Sequence, residues 1–191
     1  PRIHELAERL AQRRGLRIAR FEKRSDLKQL VSQLKELYNN ALRGTSGNAP
    51  LTDDEARAMG NQMLWFADPK LIKIVMKGNQ PVGFLLAYPD ISAAVQKTRG
   101  RLWPFGWLTL LREMKKTKWV NINGAGMLAE YRGLGGTAIL FSEMHKTISA
   151  SGQFRHADLV QIGTENDRMQ RELRDLGVEF YKMHRVYKKD L

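Results

Sequence analysis

The sequence predicts a single α/β (α+β) domain in which a mixed central sheet is flanked by helices, and three observations favour this class. Helical and strand-like segments alternate along the chain. The dipeptide Gly78-Asn79 separates two strand-like runs, which indicates a hairpin. Gly133, Gly135 and Gly136 separate a further strand-like run from an apolar helix. The second half therefore continues as strands alternating with helices.

The elements of the first half follow from apolar spacing and from capping residues. Apolar residues at helical spacing predict helices, alternation predicts strands, and Thr followed three residues later by Glu marks a helix start. In order, the predictions are a helical arm over residues 1–15, a strand over 16–21, a helix opened by Ser25 with its apolar stripe over 27–38, a loop over 44–50, a helix opened by the capping box of Thr52 and Glu55, and an antiparallel hairpin of strands 71–76 and 81–87.

Glycines mark the helix ends in the second half of the chain, since Gly152 and Gly177 each follow a predicted helix and can terminate it. In order, the predictions are a strand over 118–123, a helix over 136–150, a strand over 157–162, a helix over 166–176 and a final strand over 179–187. The complete order after the arm is β-α-α-β-β-β-α-β-α-β.

Residues 91–118 form an aromatic and basic insert between two predicted strands, and three roles are open for it. Ordinary packing is favoured because aromatic side chains most often supply core area. An acyl-chain pocket and a membrane-surface helix use the same residue types. The residues concerned are Trp103, Phe105, Trp107, Leu108, Leu110 and Leu111, followed by Arg112, Lys115, Lys116 and Lys118.

Length and composition limit the class of protein. With 191 residues and 42% hydrophobic content, the chain can bury a substantial core as one domain over 1–191. No run approaches the roughly 18 apolar residues of a membrane span, and the charged N-terminus is no signal peptide. Because the sequence has no cysteine, disulfides, a thiolate nucleophile and cysteine-ligated zinc are excluded.

The glycine-rich stretch after residue 126 has the residues of a phosphate cradle. Glycine lets successive backbone N–H groups point at one anion, and the positive end of the following helix dipole lies behind them. Two common phosphate loops do not fit. The P-loop needs Lys-Ser/Thr where Thr137-Ala138 stands, and the strict dinucleotide fingerprint Gly-x-Gly-x-x-Gly needs glycine where Ala138 stands.

These residues instead resemble the acyl-CoA pyrophosphate loop of the GNAT superfamily of acyltransferases, whose pattern is Gln/Arg-x-x-Gly-x-Gly/Ala after a Glu-Tyr pair. Arg132 and Gly135 match, Glu130-Tyr131 precedes them, and Thr137 replaces the last small residue. The resemblance implies the GNAT fold and binding of acetyl-CoA or another acyl-CoA. The cofactor-binding residues that it implies are Met127, Leu128, Ala129, Arg132, Gly133, Leu134, Gly135, Gly136, Thr137, Ala138 and Asn166.

A second stretch supports the resemblance, since Asn166, Leu176 and Gly177 fit the family's Asn-x-x-Ala-x-x-x-Tyr-x-x-x-Gly-Phe segment. Leu173 stands where many members carry a tyrosine that is proposed as the general acid. The resemblance runs from about residue 16 to the end. The chain is most similar to one branch of the superfamily, whose members carry sequence segments like those at residues 81–84, 88–90, 100–106 and 185–187. Members of that branch are generally longer at the N-terminus, so the chain resembles their C-terminal part.

Catalytic residues are less clearly indicated. Acyl transfer from a thioester to an amine needs a base, a donor to the carbonyl oxygen and an acid for the thiolate. The resemblance places Glu165 first and Glu130 second as the base, and a backbone N–H beside residues 127–129 as the donor. Tyr181 and Tyr187 are the candidate acids. Each carboxylate has a capping or surface role as its alternative, and each tyrosine has core packing.

The net charge of +12 indicates an anionic partner. CoA would use part of it, while the basic residues are too scattered to form a nucleic-acid reader, so no specific nucleic acid is expected. The histidines lack metal-ligand spacing, and no metal is expected. We therefore predict a cytoplasmic acyl-CoA-dependent N-acyltransferase with an amine-bearing acceptor, with a homodimer left open. The alternative is an inactive GNAT-fold module that binds a ligand, nucleic acid or protein, which Leu173 and Thr137 favour.

Overall fold

The computed structural model describes residues 2–21, 23, 25–26, 31–43, 49–159, 162–175, 177–185, 187 and 189. The chain divides into two compact units, Pro1–Val160 and Gln161–Leu191. The first unit contains the whole described sheet and the glycine-rich stretch, and the second contains one described helix. The prediction of one domain over 1–191 stays a prediction.

The described helices and strands follow the predicted order. In the first unit they are α1 (Arg2–Arg14), β1 (Leu16–Ile18), α2 (Val31–Ala41), α3 (Asp53–Phe66), β2 (Ile72–Lys77), β3 (Gln80–Pro89), α4 (Ser92–Thr98), α5 (Gly106–Lys116), β4 (Trp119–Met127), α6 (Gly136–Ser151) and β5 (His156–Leu159), and in the second α7 (Asp167–Asp175). Two 3-10 turns, Pro69–Leu71 and Ala129–Tyr131, precede β2 and follow β4. None of these helices combines the length and apolar character that crossing a bilayer requires.

The five described strands form one mixed sheet in the order β1-β2-β3-β4-β5. Neighbours are antiparallel from β1 to β4, whereas β5 runs parallel to β4. The hairpin between β2 and β3 turns at Gly78, whose φ of 57° lies in the left-handed region that glycine adopts without strain. The predicted fold class and the predicted hairpin are confirmed.

Helices cover both faces of the sheet. Three consecutive residues of β2, Ile74, Val75 and Met76, are buried, which requires cover on both sides because strand side chains alternate between faces. On one face, Phe84 of β3 stacks against Tyr38 of α2. On the other, Lys73 Nζ donates a 2.7 Å hydrogen bond to Thr147 Oγ1 of α6.

The predicted helix ends are confirmed where the structure describes them. The Thr52 N–H donates to Glu55 Oε2 over 2.9 Å and the Glu55 N–H donates back to Thr52 Oγ1 over 3.3 Å, so the capping box forms. The bond from the Thr52 N–H, together with a 2.9 Å bond from the Thr52 hydroxyl to Glu55 Oε2, lowers the pKa of Glu55. Gly152 and Gly177 both have positive φ after α6 and α7. The predicted helix from Ser25 is described over Val31–Ala41; residues 27–30 and 44–48 lie outside the described residues.

Two strand predictions need correction. The first strand spans Leu16–Ile18 and is shorter than the predicted 16–21. The final strand predicted over 179–187 is wrong, since residues 179–185 and 187 have no strand conformation. Phe180 and Tyr181 of that stretch are 47% and 54% exposed. Alternating aromatic residues give a preference for extended backbone, but a strand also needs a neighbour that satisfies its N–H and C=O groups.

The insert over 91–118 forms two helices, α4 and α5, joined by a loop; we call residues 92–116 the α4–α5 hairpin. No residue of α5 is buried, and Trp103 and Phe105 of the loop are 83% and 70% exposed. Ordinary packing, the favoured role, is therefore wrong for Trp103, Phe105, Trp107, Leu108 and Leu111, whereas Leu110 is half-buried.

Candidate functional site

The glycine loop, residues 132–138, connects β4 to α6 and adopts the backbone that its sequence predicts. Gly133 has a φ of 75° and Gly135 a φ of 90°, both in the left-handed region. Gly135 is the N-cap of α6 and, having no side chain, offers no capping hydrogen bond to the helix. The N–H groups in the first turn of this helix consequently receive no acceptor from the side chain of the N-cap residue.

Four successive backbone N–H groups at this helix start have no hydrogen-bond acceptor among the described residues. Ile139 is the first residue of the helix whose N–H is satisfied, by a 3.1 Å hydrogen bond to the carbonyl of Gly135. The N–H groups of residues 135–138 donate to no acceptor within the part of the chain that the structure describes. Because α6 is 16 residues long, its dipole adds positive potential at the same point. The arrangement is suited to an anion.

The side chain of Arg132 has a structural role. Its Nε donates to the Met127 carbonyl over 3.0 Å, and an Nη donates to the Ala41 carbonyl over 2.8 Å. The guanidinium therefore joins the loop to the ends of β4 and α2. Because both acceptors are neutral carbonyls, the guanidinium keeps its positive charge beside the loop, and contact between Arg132 and a cofactor stays a prediction.

The glycines of the loop also allow close packing. A Cβ on Gly136 would lie 2.5 Å from Met127 Cε, and a Cβ on Gly83 of β3 would meet the same thioether. The side chain of Met127 thus fills a space that two glycines leave. Gly135 in turn lies against Leu10 of α1. A Cβ at any of these three positions would require the facing Met127 or Leu10 side chain to move.

The strand that leads into the loop is irregular. The β3–β4 ladder shifts register between Leu85 and Ala87, and Gly124 has a φ of 108°, so β4 contains a bulge. Among the described residues, β5 pairs with β4 only over 119–122. The C-terminal half of β4 therefore has one edge without a strand partner in the described part of the chain.

One N–H group at the end of β4 points toward that edge. Leu128 donates its N–H to the Val82 carbonyl of β3 over 2.9 Å. Since hydrogen bonds alternate along an antiparallel ladder, the neighbouring N–H of Met127 points away from β3. An N–H group beside residues 127–129 is expected to donate to the carbonyl oxygen of the thioester. The N–H of Leu128 is already hydrogen-bonded to Val82, and the N–H of Met127 is the one directed to the unpaired edge.

The candidate acid–base residues lie in both units. Glu130 is exposed on the 3-10 turn between β4 and the loop, within the first unit. Glu165 and Asn166 precede α7 in the second unit, where Glu165 is exposed. Asn166 Oδ1 accepts a 3.2 Å hydrogen bond from the Met169 N–H and caps α7. The capping role that was the alternative for Glu165 therefore belongs to its neighbour.

The candidate acids are exposed. Tyr181 is 54% and Tyr187 83% exposed, so core packing, their alternative role, is wrong. The ammonium of Lys182 lies 4.8 Å from the centroid of the Tyr181 ring. Leu173, which replaces the family's usual tyrosine, is only 1% exposed and offers no proton. Leu176 lies outside the described residues.

The structure also brings together residues that the sequence did not connect. His4 Nδ1 lies 2.7 Å from Ser142 Oγ, and its ring is 5.2 Å from that of His145, so α1 packs on α6 through polar groups. Burial lowers the pKa of His4. These partners are 138 positions apart, and no local pattern indicates them. No group of three or more metal-ligating side chains occurs in the described ranges.

Two curated relatives match the chain. Protein YghO of Escherichia coli is 28% identical over 163 residues, which cover 83% of this chain and 42% of the relative. A bacterial ceramide synthase of Caulobacter vibrioides is 25% identical over 202 residues, covering 99% and 51%. The chain spans about half the length of the curated relatives it matches. No family model matches it.

Solved structures match over most of the chain. The aminoglycoside acetyltransferase AAC(6')-Iy, in complex with a CoA bisubstrate analogue, superposes with a TM-score of 0.57 and 17% identity over 92% of this chain and 99% of its own. An acetyltransferase of the GNAT family from Streptococcus pneumoniae superposes with a TM-score of 0.56 and 16% identity over 85% and 83%. At these identities the matches bear on architecture. The chain has the fold of the GNAT acetyltransferases, as the resemblance of its glycine loop implied.

Proposed function

We propose that the chain is an acyl-CoA-dependent N-acyltransferase that moves an acetyl or longer acyl group directly to an amine in a ternary complex. The observation that carries this proposal is the row of N–H groups at residues 135–138 that have no acceptor among the described residues. A pyrophosphate accepts several such hydrogen bonds and gains from the helix dipole. The neighbour AAC(6')-Iy, which was solved with a CoA bisubstrate analogue, supports the same ligand class. We place the reaction in the cytoplasm because its donor is an acyl-CoA.

The reaction needs three groups in addition to the phosphate cradle. The amine nitrogen attacks the thioester carbonyl carbon, a C–N bond forms, the C–S bond breaks, and the CoA thiolate takes up a proton as the amine loses one. We assign the oxyanion donor to the N–H of Met127, because it points to the unpaired edge of β4. Glu165 is the first candidate base and Glu130 the second, and Tyr181 is the candidate acid. Asn166 would contact the arm of the cofactor through its amide.

Two amine classes are suggested by similar proteins. A ceramide carries its acyl group on the nitrogen of a long-chain amino alcohol, and the relative named as a bacterial ceramide synthase matches 99% of this chain at 25% identity. The aminoglycoside acetyltransferase matches at 17% identity. We therefore place a long-chain amine first and an aminoglycoside second as acceptor.

A second function is favoured by one observation. Leu173 is an aliphatic, buried residue at the position where the family usually has a tyrosine. A chain that has lost its acid could keep the phosphate cradle and serve as a binding module. Such a module would bind CoA without releasing thiol from acyl-CoA.

CoA binding can be tested by a charge placed at the helix start. Thr137 is the second residue of α6, where an aspartate favours the helix dipole by about 0.3–1 kcal/mol while repelling phosphate. At a ligand concentration about a hundredfold above Kd, CoA should stabilise the parent by about 2.7 kcal/mol. Thr137→Asp should lose this thermal shift without a lower melting temperature in the absence of ligand. Thr137→Asn, matched in shape but neutral, should retain it.

An equal CoA shift in Thr137→Asp would remove the loop from the cofactor site. Thiol release from acetyl-CoA and a long-chain acyl-CoA, measured with long-chain amines and aminoglycosides, then separates the two functions. CoA binding without any amine-dependent thiol release would favour the binding module. Release with one amine class alone would identify the acceptor.

A further inference from the structure

The tip of the α4–α5 hairpin exposes a concentrated apolar surface. Six large apolar side chains within ten residues are more than 40% exposed. They are Leu102 (55%), Trp103 (83%), Phe105 (70%), Trp107 (41%), Leu108 (48%) and Leu111 (42%), which we call the apolar tip. An apolar patch of this kind, bordered by charge, marks an interaction surface rather than scattered surface variation.

The loop that carries the apolar tip is well organised. The Trp107 N–H donates to the Leu102 carbonyl over 3.1 Å, and the indole Nε1 donates to the Pro104 carbonyl over 3.0 Å. Gly106 lies so close to the Arg101 carbonyl that a Cβ there would collide with it. The exposed side chains are therefore presented by a specific backbone turn.

The base of the hairpin is fixed to the rest of the unit. Gln153, between α6 and β5, donates from Nε2 to the Met114 carbonyl over 2.8 Å and to the Thr117 carbonyl over 3.3 Å. Lys97 of α4 forms a 2.7 Å ion pair with Glu113 of α5, which ties the two helices together. The apolar tip thus projects from an anchored base.

Basic side chains surround the apolar tip. Residues 91–118 contain seven lysines and arginines and one acidic residue, a net charge of +6 that is half of the chain's +12. The acid, Glu113, is 18% exposed and paired with Lys97. Five exposed residues form no ion pair within the described ranges. They are Arg99, Arg101, Arg112, Lys115 and Lys116, which we call the basic collar.

The two groups follow each other along one exposed face of α5. Trp107, Leu108 and Leu111 occupy the first two turns, and Arg112, Lys115 and Lys116 follow at spacings of three and four residues. On α5 the apolar side chains lie at the end next to the loop and the charges lie nearer the sheet, whereas Arg99 and Arg101 of the basic collar flank the loop itself. A layer with an apolar interior and an anionic surface would place its interior against the apolar side chains and its surface against the basic side chains of α5.

We propose that the α4–α5 hairpin docks on an anionic lipid bilayer, with the apolar tip in the interfacial region and the basic collar on the headgroups. Trp and Phe favour that region, and each lysine or arginine near an anionic membrane strengthens binding about fivefold. A second copy of the chain would bring two surfaces of +6 together, which repel each other. Nucleic acid would pair with the collar but leave the leucines without a partner. Bilayer docking requires no acyl transfer and stands apart from the proposed function.

Co-sedimentation of the full chain with unilamellar vesicles tests the proposal. Vesicles of phosphatidylcholine with about 30% phosphatidylglycerol should bind the parent at least tenfold more tightly than vesicles of phosphatidylcholine alone, and added salt should weaken the binding. Trp103→Ala/Phe105→Ala should lower affinity at least tenfold. Arg112→Gln/Lys115→Gln should lower it roughly 25-fold and reduce the salt dependence. Since these side chains are exposed, circular dichroism and melting temperature should match the parent.

Matched changes on another helix provide the control. Leu6→Ala and Arg13→Gln/Arg14→Gln alter exposed residues of α1 and should leave vesicle binding within twofold. Equal losses in the α1 variants would overturn the proposal, as would an absence of binding to anionic vesicles. A dimer in sedimentation velocity that Trp103→Ala dissociates, or binding to duplex DNA that exceeds vesicle binding, would overturn it in favour of the other occupants. CoA binding is measured separately, so each proposal can fail alone.

Discussion

The glycine loop and the α4–α5 hairpin are both short segments beside the same sheet, yet the sequence predicts one and leaves the other open. In the loop, a positive φ is required at Gly133 and Gly135, and that requirement is met by single residues. In the hairpin, the same aromatic residues would suit a core equally well. Only the position of the whole segment decides that Trp103 is 83% exposed. Backbone requirements can be read from residue types, whereas exposure depends on long-range packing.

The two regions also differ in the kind of partner that they lack. The helix start at residues 135–138 has donors without acceptors in the described part of the chain, and the hairpin has apolar surface without cover. An anion supplies what the first region lacks, and a less polar environment supplies what the second lacks. If chemistry belongs to the first region and docking to the second, changes in one should not alter the readout of the other.

The largest effect is expected from Glu165→Gln. If Glu165 takes a proton from the incoming amine, the variant should keep CoA affinity and lose about 10²-fold or more in turnover, most strongly below the pKa of the amine. Vesicle binding should be unchanged. Thiol-release kinetics across pH and vesicle co-sedimentation provide the two measurements.

Glu130→Gln is the matched control for this carboxylate, because Glu130 is also exposed and ranks second as the base. Normal turnover in Glu165→Gln, together with a large loss in Glu130→Gln, would transfer the role to the first unit. Normal turnover in both would leave water as the base. A change in vesicle binding in either variant would break the separation between the two regions.

The next effect concerns stability. Arg132→Met removes two hydrogen bonds from a charged donor to the Met127 and Ala41 carbonyls, and should lower the free energy of unfolding by about 1.5–3 kcal/mol. Urea denaturation followed by circular dichroism measures this loss. Arg132→Lys keeps the charge but not the planar pair of donors, so it should be nearly as destabilised. An Arg132→Lys variant with parental stability would show that charge, rather than the two hydrogen bonds, is what the loop needs.

One glycine from each region sharpens the comparison further. Gly106→Ala places a Cβ against the backbone carbonyl of Arg101, which cannot move alone, and should destabilise the hairpin by about 1–3 kcal/mol. Gly136→Ala meets the end of the flexible Met127 side chain, which can change rotamer, and should cost less, about 1 kcal/mol or below. Hydrogen exchange of the α5 amides and thermal unfolding measure the two. The reverse order would show that the hairpin loop adapts more readily than the start of α6.

The smallest effect is expected from pH. The hydrogen bond from Lys97 lowers the pKa of Glu113 below its ordinary value of 4.5. A carboxyl whose pKa is lower in the folded chain stabilises the fold above its ordinary pKa, and this contribution is lost as pH falls through the folded pKa. Glu113→Gln should therefore melt slightly below the parent at about pH 6, and the gap should narrow as the pH falls below the ordinary pKa of 4.5. A gap that stays constant as the pH falls would exclude the ion pair as its cause.

Local patterns predicted most of the fold. The capping box of Thr52 and Glu55, the hairpin at Gly78 and the helix ends at Gly152 and Gly177 each depend on residues within one turn or loop, and each is confirmed. The final strand depended on alternation alone and is wrong, because strand pairing is decided by a neighbour elsewhere in the chain. The contact between His4 and Ser142 has no local signature.

The candidate site was predictable to a smaller extent. The left-handed glycines and the open helix start follow from the order of residues in the loop. That Arg132 binds two carbonyls, and that Leu128 donates to Val82, follows from which segments lie next to the loop. Proton-transfer roles for Glu165, Glu130 and Tyr181 stay predictions, since such a role depends on where a substrate lies.

The packing of Leu10 against Gly135 makes the first helix part of the wall of the glycine loop. His4 with Ser142, and Lys146 with Glu8 at 3.3 Å, attach that helix to α6. If docking of α1 and occupation of the loop affect each other through this contact, linkage makes the effect reciprocal, so each changes the other by the same factor. An interaction that holds α1 in place would then change the affinity of the loop for an anion. A bound anion would in turn slow hydrogen exchange and proteolysis of α1.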